Sequence, residues 1–249
     1  MNRPVSSSGY PLDERLPRYQ QLHDDLVHRI ATGEWLPGEV IPTEAQLSSA
    51  YEVSTGTLRK AVDLLVAEGV LTRSQGRGTF VRRPQIDASM LRFFRFKSSS
   101  GDPMLPTARV LKREVTAPDE EVRQALQLGR NDKVIRLSRL RLMDALPVLA
   151  EEIWLPRARF APLAGLALHD FEDLLYPQYE RLCQQVVATA RETLSVRRAD
   201  KILARQLSME VGQPVIHVHR VAFDFASKPV EFRSTSGRAD GFQYEIEIR

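Results

Sequence analysis

Hydrophobic positions recur at helical spacing in three short segments near the start of the chain. The first segment begins at Arg18 and can end at Gly33. Thr43, with Gln46 three residues later, predicts a capping box for the second segment. Ser54 can cap the third. The inner faces are Leu22, Leu26, Val27 and Ile30; Leu47, Ala50 and Tyr51; and Leu58, Ala61, Val62 and Leu65.

The third helix can end at Gly69, and a strand-like stretch follows it. It runs from Leu71 to Val81 and is interrupted by Gly76 and Gly78, a pattern that predicts a β-hairpin. Three short helices followed by a hairpin describe a winged helix-turn-helix. We place this domain at residues 18–83, after an N-terminal extension of residues 1–17.

Beyond a predicted linker at residues 84–87, strand and helix patterns alternate over residues 88–249. We predict strands at Val134–Leu142, Val148–Leu155, Val215–Phe225, Val230–Thr235 and Phe242–Ile248, and helices at Pro118–Leu128, Phe171–Cys183 and Ala199–Leu207. The fold class is therefore α+β: an N-terminal winged helix-turn-helix and a C-terminal domain built on an antiparallel sheet.

Composition narrows the classes of protein. A chain of 249 residues suits two modest domains, and no apolar run is long enough to span a membrane. The N-terminus lacks the apolar core of a signal peptide, and the single Cys183 excludes an internal disulfide. We therefore expect a cytoplasmic protein with no membrane partner.

Charge is distributed unevenly along the chain. Residues 1–52 carry four basic and eight acidic side chains, whereas residues 53–84 carry six basic and two acidic ones. A basic block of this kind indicates a polyanionic partner, and here it coincides with the third helix and the hairpin.

That coincidence indicates double-stranded DNA, because the second helix of a helix-turn-helix enters the major groove with its N-terminal residues nearest the bases. Arginine can read a guanine edge, and threonine can bond phosphates or bases. The residues expected at DNA are Thr43, Ser54, Thr55, Gly56, Thr57, Arg59, Lys60, Arg73, Gln75, Gly76 and Arg77.

The predicted strands of the C-terminal domain place charged side chains on an apolar face. Side chains two residues apart share a face, so Ile135, Leu137, Arg139 and Arg141 project together. On the returning strand Glu151 lies among apolar neighbours. Buried charges need partners, and arginine can grip a carboxylate or phosphate with two hydrogen bonds. Two interpretations stay open: a site for an anionic ligand, or a structural ion pair.

The first 83 residues contain motifs of a known family. These are Tyr19–Leu22, Gly33–Leu36, Pro42–Glu44, Leu47–Ser48, Val53–Ser54, Thr57–Arg59, Leu65, Glu68–Gly69 and Gly76–Val81. The stretch resembles the DNA-binding domain of the GntR family of bacterial transcription regulators. That family often has arginine at the positions of Ala45 and Thr55, so the resemblance implies that base readout relies more on Arg59 and the wing.

Residues 88–249 resemble the UTRA domain of the HutC branch of that family, on the stretches Val134–Pro156 and Lys228–Asp240. The resemblance implies a chorismate lyase-like fold and a small acidic or polar metabolite as effector. We also expect a homodimer formed through these residues, because a symmetric pair of winged domains reads two half-sites. It implies an effector site at Arg139, Arg141 and Glu151, with Thr235 as a neighbour. A sugar phosphate and a carboxylated metabolite both stay open.

Two other functions compete with a ligand-responsive regulator, which we expect to be a repressor. One is a chorismate-lyase-like enzyme fused to a nucleic-acid-binding domain, but no catalytic acid–base pair stands out. The other is a nonspecific nucleoid protein, which does not explain charges on an apolar strand face. His217 and His219 share a strand face without a visible third ligand, so we expect no metal and no cofactor.

Overall fold

The computed structural model describes residues 13–83, 106–240 and 242. They divide into two units, the first comprising residues 13–83 with Asp224–Lys228 and the second the remaining described residues. Four predicted segments lie wholly or mostly outside the described residues. They are residues 1–12 of the N-terminal extension, the linker, the beginning of the second domain and nearly all of the strand Phe242–Ile248.

The first unit contains the predicted three helices and hairpin. Its elements are α1 (Arg18–Ala31), α2 (Glu44–Ala50), α3 (Thr55–Ala67), β1 (Leu71–Ser74) and β2 (Gly78–Val81). Both predicted caps are confirmed, since Thr43 and Gln46 form a reciprocal capping box and the Ser54 hydroxyl accepts from the backbone N–H of Thr57. Gly69 adopts φ +73° directly after α3, a conformation that favours glycine.

The core of the first unit lies where the three helices meet. Leu22, Leu26, Leu47, Leu58 and Leu65 are all fully buried. The antiparallel hairpin is extended by backbone bonds from Gly38 to Val81 and from Ile41 to Thr79, so the wing is held against the segment before α2. The wing and α2 are thereby positioned together with the third helix.

The second unit is one antiparallel sheet with short helices. Its elements are β3 (Thr107–Thr116), α4 (Glu120–Ala125), β4 (Val134–Met143), β5 (Leu146–Pro156), α5 (Leu175–Cys183), β6 (Thr189–Arg198), α6 (Lys201–Gln206), β7 (Pro214–Phe223) and β8 (Pro229–Arg238). The six strands lie in the order β3-β4-β5-β8-β7-β6. The predicted joint between β4 and β5 is a tight turn in which Asp144 and Ala145 both have positive φ.

The sheet has two different faces. One packs against α5 and the preceding loop, in a core that includes Leu137, Ile153, Phe160 and Tyr179. The other carries α4 at one end, on a cluster around Val134, and α6 at the other, on a cluster of small residues. The predicted ligand face of β4 and β5 is the α5 face.

The sequence prediction is wrong in extent for three helices of the second unit and missed two strands. The side chain of Gln178 bonds the backbone of Asp170 and Glu172, which keeps that segment out of the helix, so α5 begins at Leu175 rather than Phe171. Asp119 caps α4 and Asp200 caps α6, so each helix begins two residues later than predicted, and they end earlier, at Ala125 and Gln206. The missed strands, β3 and β6, form the two edges of the sheet as far as the described residues show it.

Candidate functional site

The exposed side of α3 carries the residues predicted to meet DNA. Leu58 and Leu65 fill the core, while Thr55, Gly56, Arg59 and Lys60 are exposed. The first backbone N–H groups of a helix point outward with the positive end of its dipole, which favours a phosphate. The N-terminal half of α3 therefore has the shape and charge for a duplex backbone.

No steric contact described within the first unit requires a glycine at position 56. A Cβ built there lies 3.9 Å from the Ser54 hydroxyl, an ordinary contact. Glycine in a helix costs about 1 kcal/mol relative to alanine. Open space in front of an exposed helix terminus is what close approach of a nucleic-acid backbone requires.

The predicted cations differ in how far they are engaged within the protein. Arg59 donates through Nε to Glu44 at 3.0 Å, and its side chain remains 60% exposed. Arg73 donates to Glu44 and to Asp63, so both of its terminal nitrogens are used internally. Lys60 lies 3.8 Å from the centre of the Tyr19 ring, a cation–π contact with α1.

The tip of the wing is open to solvent. Gln75, Gly76 and Arg77 are exposed, and Gly76 adopts φ +73° with nothing within 4 Å of a built Cβ. The Arg77 guanidinium lies 6.0 Å from the Phe80 ring centre. The tip combines a positive charge with a backbone that another molecule can approach closely.

The second unit brings together the residues predicted to bind an effector. Arg139 on β4 faces Glu151 on β5, and Glu151 faces Thr235 on β8. All three are buried, with the Arg139 Nε donating to Glu151 Oε2 at 2.6 Å. Arg141 lies beside them, its Nε 3.5 Å from the same carboxylate oxygen, and is partly open with 12% of its side chain exposed.

The cluster extends to residues that the sequence prediction missed. Arg233 on β8 contacts Glu151 at 3.4 Å and Glu231 at 2.6 Å. Glu231 in turn accepts from the hydroxyls of Tyr179 and Tyr176 on α5, at 2.8 and 3.1 Å. A continuous polar network therefore joins β4, β5 and β8 to α5.

Alternation along β8 was the signal for these residues. Glu231 and Arg233 are four and two positions before Thr235, so all three share a face once β8 is known to lie beside β5. The sequence does not specify that β8 lies beside β5. The tyrosines of α5 show no comparable alternation with charged residues.

The buried cluster is rich in positive charge. Arg220 on β7 joins it by bonding Tyr176 at 3.2 Å and Glu192 at 2.7 Å. The described part of the cluster then contains four guanidinium groups, on Arg139, Arg141, Arg220 and Arg233, and three carboxylates, on Glu151, Glu192 and Glu231. Among the described residues, the buried Nη2 of Arg139 has no hydrogen-bond partner.

Electrostatics within the cluster act in opposite directions on acid and base. Burial would raise the pKa of Glu151, but the charges of Arg139, Arg233 and Arg141 hold that pKa well below its usual range. Burial, together with Arg139 and Arg233, lowers the pKa of Arg141 to about 10 against the opposing pull of Glu151 and Asp173. Glu151 and Arg141 are therefore both charged at neutral pH.

His217 and His219 lie on the opposite face of the sheet. His217 is buried and its ring nitrogens contact the hydroxyls of Ser236 at 2.9 Å and Ser234 at 3.4 Å. Burial lowers its pKa to about 4, so the ring is neutral. No group of three or more candidate metal ligands is present among the residues that the model describes.

Comparison with known proteins identifies the class that this architecture defines. Residues 18–81 match the model of the bacterial regulatory proteins of the gntR family, and residues 103–243 match the UTRA domain. The chain belongs to the GntR family and carries a UTRA domain. It is a transcriptional regulator and not an enzyme. None of the helices described here is long and apolar enough to cross a membrane.

Named relatives align along nearly the whole chain. The probable fructoselysine utilization operon transcriptional repressor of Escherichia coli K12 is 29% identical over 238 residues, covering 92% of this chain and 93% of that one. The mannosyl-D-glycerate transport/metabolism system repressor MngR of the same strain is 26% identical over 231 residues, covering 92% and 95%. The possible transcriptional regulator YydK from Bacillus subtilis shares the fold, with a TM-score of 0.54 at 19% identity, covering 94% of this chain and all of that one.

The open space at Gly56 yields a testable prediction. Gly56→Ala should stabilise the first unit by about 0.5–1 kcal/mol, because alanine loses less backbone entropy in a helix. The same methyl group should weaken binding to a duplex selected by the wild-type protein, because it occupies space that the nucleic acid needs. Thermal unfolding and fluorescence anisotropy measure the two effects.

Gly165→Ala is the matched control, since a Cβ there meets nothing within 4 Å and the residue lies in the second unit. It should leave DNA affinity unchanged. If Gly56→Ala binds the selected duplex as tightly as the wild type, no nucleic acid approaches α3 at this point.

Proposed function

We propose that this protein is a repressor that binds operator DNA through its first unit and releases it when a small anionic metabolite binds its second. The observation that carries the effector half is the buried cluster around Glu151. Three arginines share the Glu151 carboxylate, and the buried Arg139 Nη2 lacks a hydrogen-bond partner within the described residues. Unsatisfied buried donors are costly, so a ligand that supplies an acceptor there gains affinity.

The ligand chemistry follows from the position of each group. Arg141 is charged at neutral pH and 12% of its side chain is open, so an incoming anion meets it first. A carboxylate or phosphate matches the planar fork of arginine. Glu151, directly beside it, accepts hydrogen bonds and suits a hydroxyl or amine on the same ligand. Relatives named for fructoselysine and mannosyl-D-glycerate systems support a sugar-derived effector.

The effector acts on DNA by shifting populations. A ligand that prefers one conformation of the regulator moves the equilibrium toward it, and coupling of about 1–3 kcal/mol corresponds to roughly 5–150-fold weaker operator binding. A regulator of chromosomal operators would act in the cytoplasm.

Arg141 separates ligand binding from DNA binding. A screen of sugar phosphates and small carboxylates by thermal shift identifies an effector, because a ligand selective for the folded state raises its stability. Arg141→Ala should bind a selected operator duplex as the wild type does, yet resist release by that effector, which fluorescence anisotropy measures.

Arg136→Ala is the control, because Arg136 lies on the same strand but pairs with Glu152 and Glu114 on the other face of the sheet. It should respond to the effector normally. An Arg141→Ala protein that the effector still releases would place the pocket elsewhere, and one that unfolds without ligand would favour the structural ion pair.

We further propose a homodimer formed through the second unit. A symmetric pair of winged domains reads two half-sites and gains specificity. The edge strand β6 supports this arrangement, because Leu194 and Val196 on its α5-facing side are 39% and 65% exposed, and an edge strand with apolar side chains favours pairing with another chain.

Sedimentation at micromolar concentration should give a species of twice 28.3 kDa. Val196→Lys should shift it toward the monomer, because a buried lysine would lose its hydration at the interface, while Val211→Lys, at another exposed valine, should not. A monomeric wild-type protein that still protects a palindromic site would contradict the dimer.

A further inference from the structure

Glu44, the first residue of α2, joins the two parts of the surface that face DNA. Its Oε2 accepts from Arg59 Nε on α3 at 3.0 Å, and its Oε1 accepts from Arg73 Nη2 on the wing at 3.0 Å. Arg73 is also bonded to Asp63 on α3. The Glu44 carboxylate therefore links α2, α3 and the hairpin β1–β2.

Stability alone is a weak reason for this arrangement. The Glu44 side chain is 26% exposed and the Arg59 side chain 60%, and ion pairs at such sites contribute about 0–1 kcal/mol. A negative charge on a surface that meets phosphates also opposes binding to DNA of any sequence. Neither effect explains why Glu44 lies between two arginines of the DNA-facing surface.

The hydrogen bond from Arg59 to Glu44 leaves part of the guanidinium available to DNA. Glu44 occupies only the Nε–H of the guanidinium, and no described residue accepts a hydrogen bond from Nη1 or Nη2. Guanine is read by two parallel hydrogen bonds from arginine to O6 and N7. An arginine held at Nε keeps its terminal nitrogens for the base and loses less side-chain entropy on binding than a free one.

We propose that Glu44 is a positioning residue for base readout: it holds Arg59 with its terminal nitrogens presented to a guanine and fixes the wing through Arg73 at the same time. The proposal rests on the DNA-binding function of the first unit. By repelling phosphates, Glu44 also lowers the affinity for unrelated sequences, so it increases discrimination in two ways.

The test uses the full-length protein and a duplex selected from a random library by the wild type. Each guanine of a half-site is replaced in turn by 7-deazaguanine, which removes the N7 acceptor. The guanine whose replacement weakens wild-type binding but not Arg59→Ala binding is the one that Arg59 reads. The N7 bond is one of the two in a bidentate contact, so its removal predicts a loss of roughly 2- to 12-fold there.

Three variants of Glu44 separate position from charge. Glu44→Ala and Glu44→Asp should both lose sensitivity at this guanine, since the first has no acceptor and the second is one methylene too short to reach Arg59. Aspartate keeps the charge and suits a helix N-terminus, so it carries the test if the alanine variant folds poorly. Glu44→Gln should keep part of the sensitivity, because its amide oxygen can still accept from Nε, and should bind mixed-sequence DNA more tightly.

Asp63→Asn is the matched control, because Asp63 contacts Arg73 but not Arg59. It should retain the full loss at the same guanine. Unchanged sensitivity in both Glu44→Ala and Glu44→Asp overturns the proposal, as does the absence of any guanine read by Arg59. Failure of the wild type to select a duplex contradicts DNA binding itself, which is a distinct result.

Discussion

The second unit depends on a carboxylate in the middle of its sheet. Glu151 is buried and contacts three arginines, on its own neighbouring strands β4 and β8. A buried charge is tolerated only when it is paired and hydrogen-bonded, so Glu151 and its partners must stay in register. A slip of one residue along β5 would turn Glu151 to the other face and leave the arginines without it.

The same requirement connects the sheet to its helix. Glu231 balances Arg233 and accepts from two tyrosines of α5, so the helix is held to the sheet by polar bonds as well as by the core around Tyr179. A buried polar network stabilises the fold when all of its hydrogen bonds are made, and a missing partner leaves a costly unpaired group. An anion entering beside Arg141 would change the balance of charge at Glu151, and the network offers a route from that change to α5.

The sequence was informative wherever side-chain chemistry is local. Caps at Thr43 and Ser54 and the alternation of Arg139 and Arg141 depend on residues close together in the chain, and each is present in the structure. The partners of Arg59 and Arg73 are Glu44 on α2 and Asp63 on α3, and tertiary packing sets these pairs. The edge strand β6 was missed because its residues are mostly exposed and polar, so it lacks the hydrophobic alternation of a half-buried strand.

A double-mutant cycle on Arg139 and Glu151 tests most directly whether this ion pair organises the second unit. Glu151→Gln should cost more unfolding free energy than Arg139→Met, because it removes the carboxylate that Arg139, Arg141 and Arg233 share, although Arg233 still pairs with Glu231. Losses of about 3–5 kcal/mol are typical for a broken buried pair. The double variant should be more stable than the sum of the two single losses predicts, by at least about 1 kcal/mol. Additive losses, measured by urea unfolding of the full chain, would contradict the account.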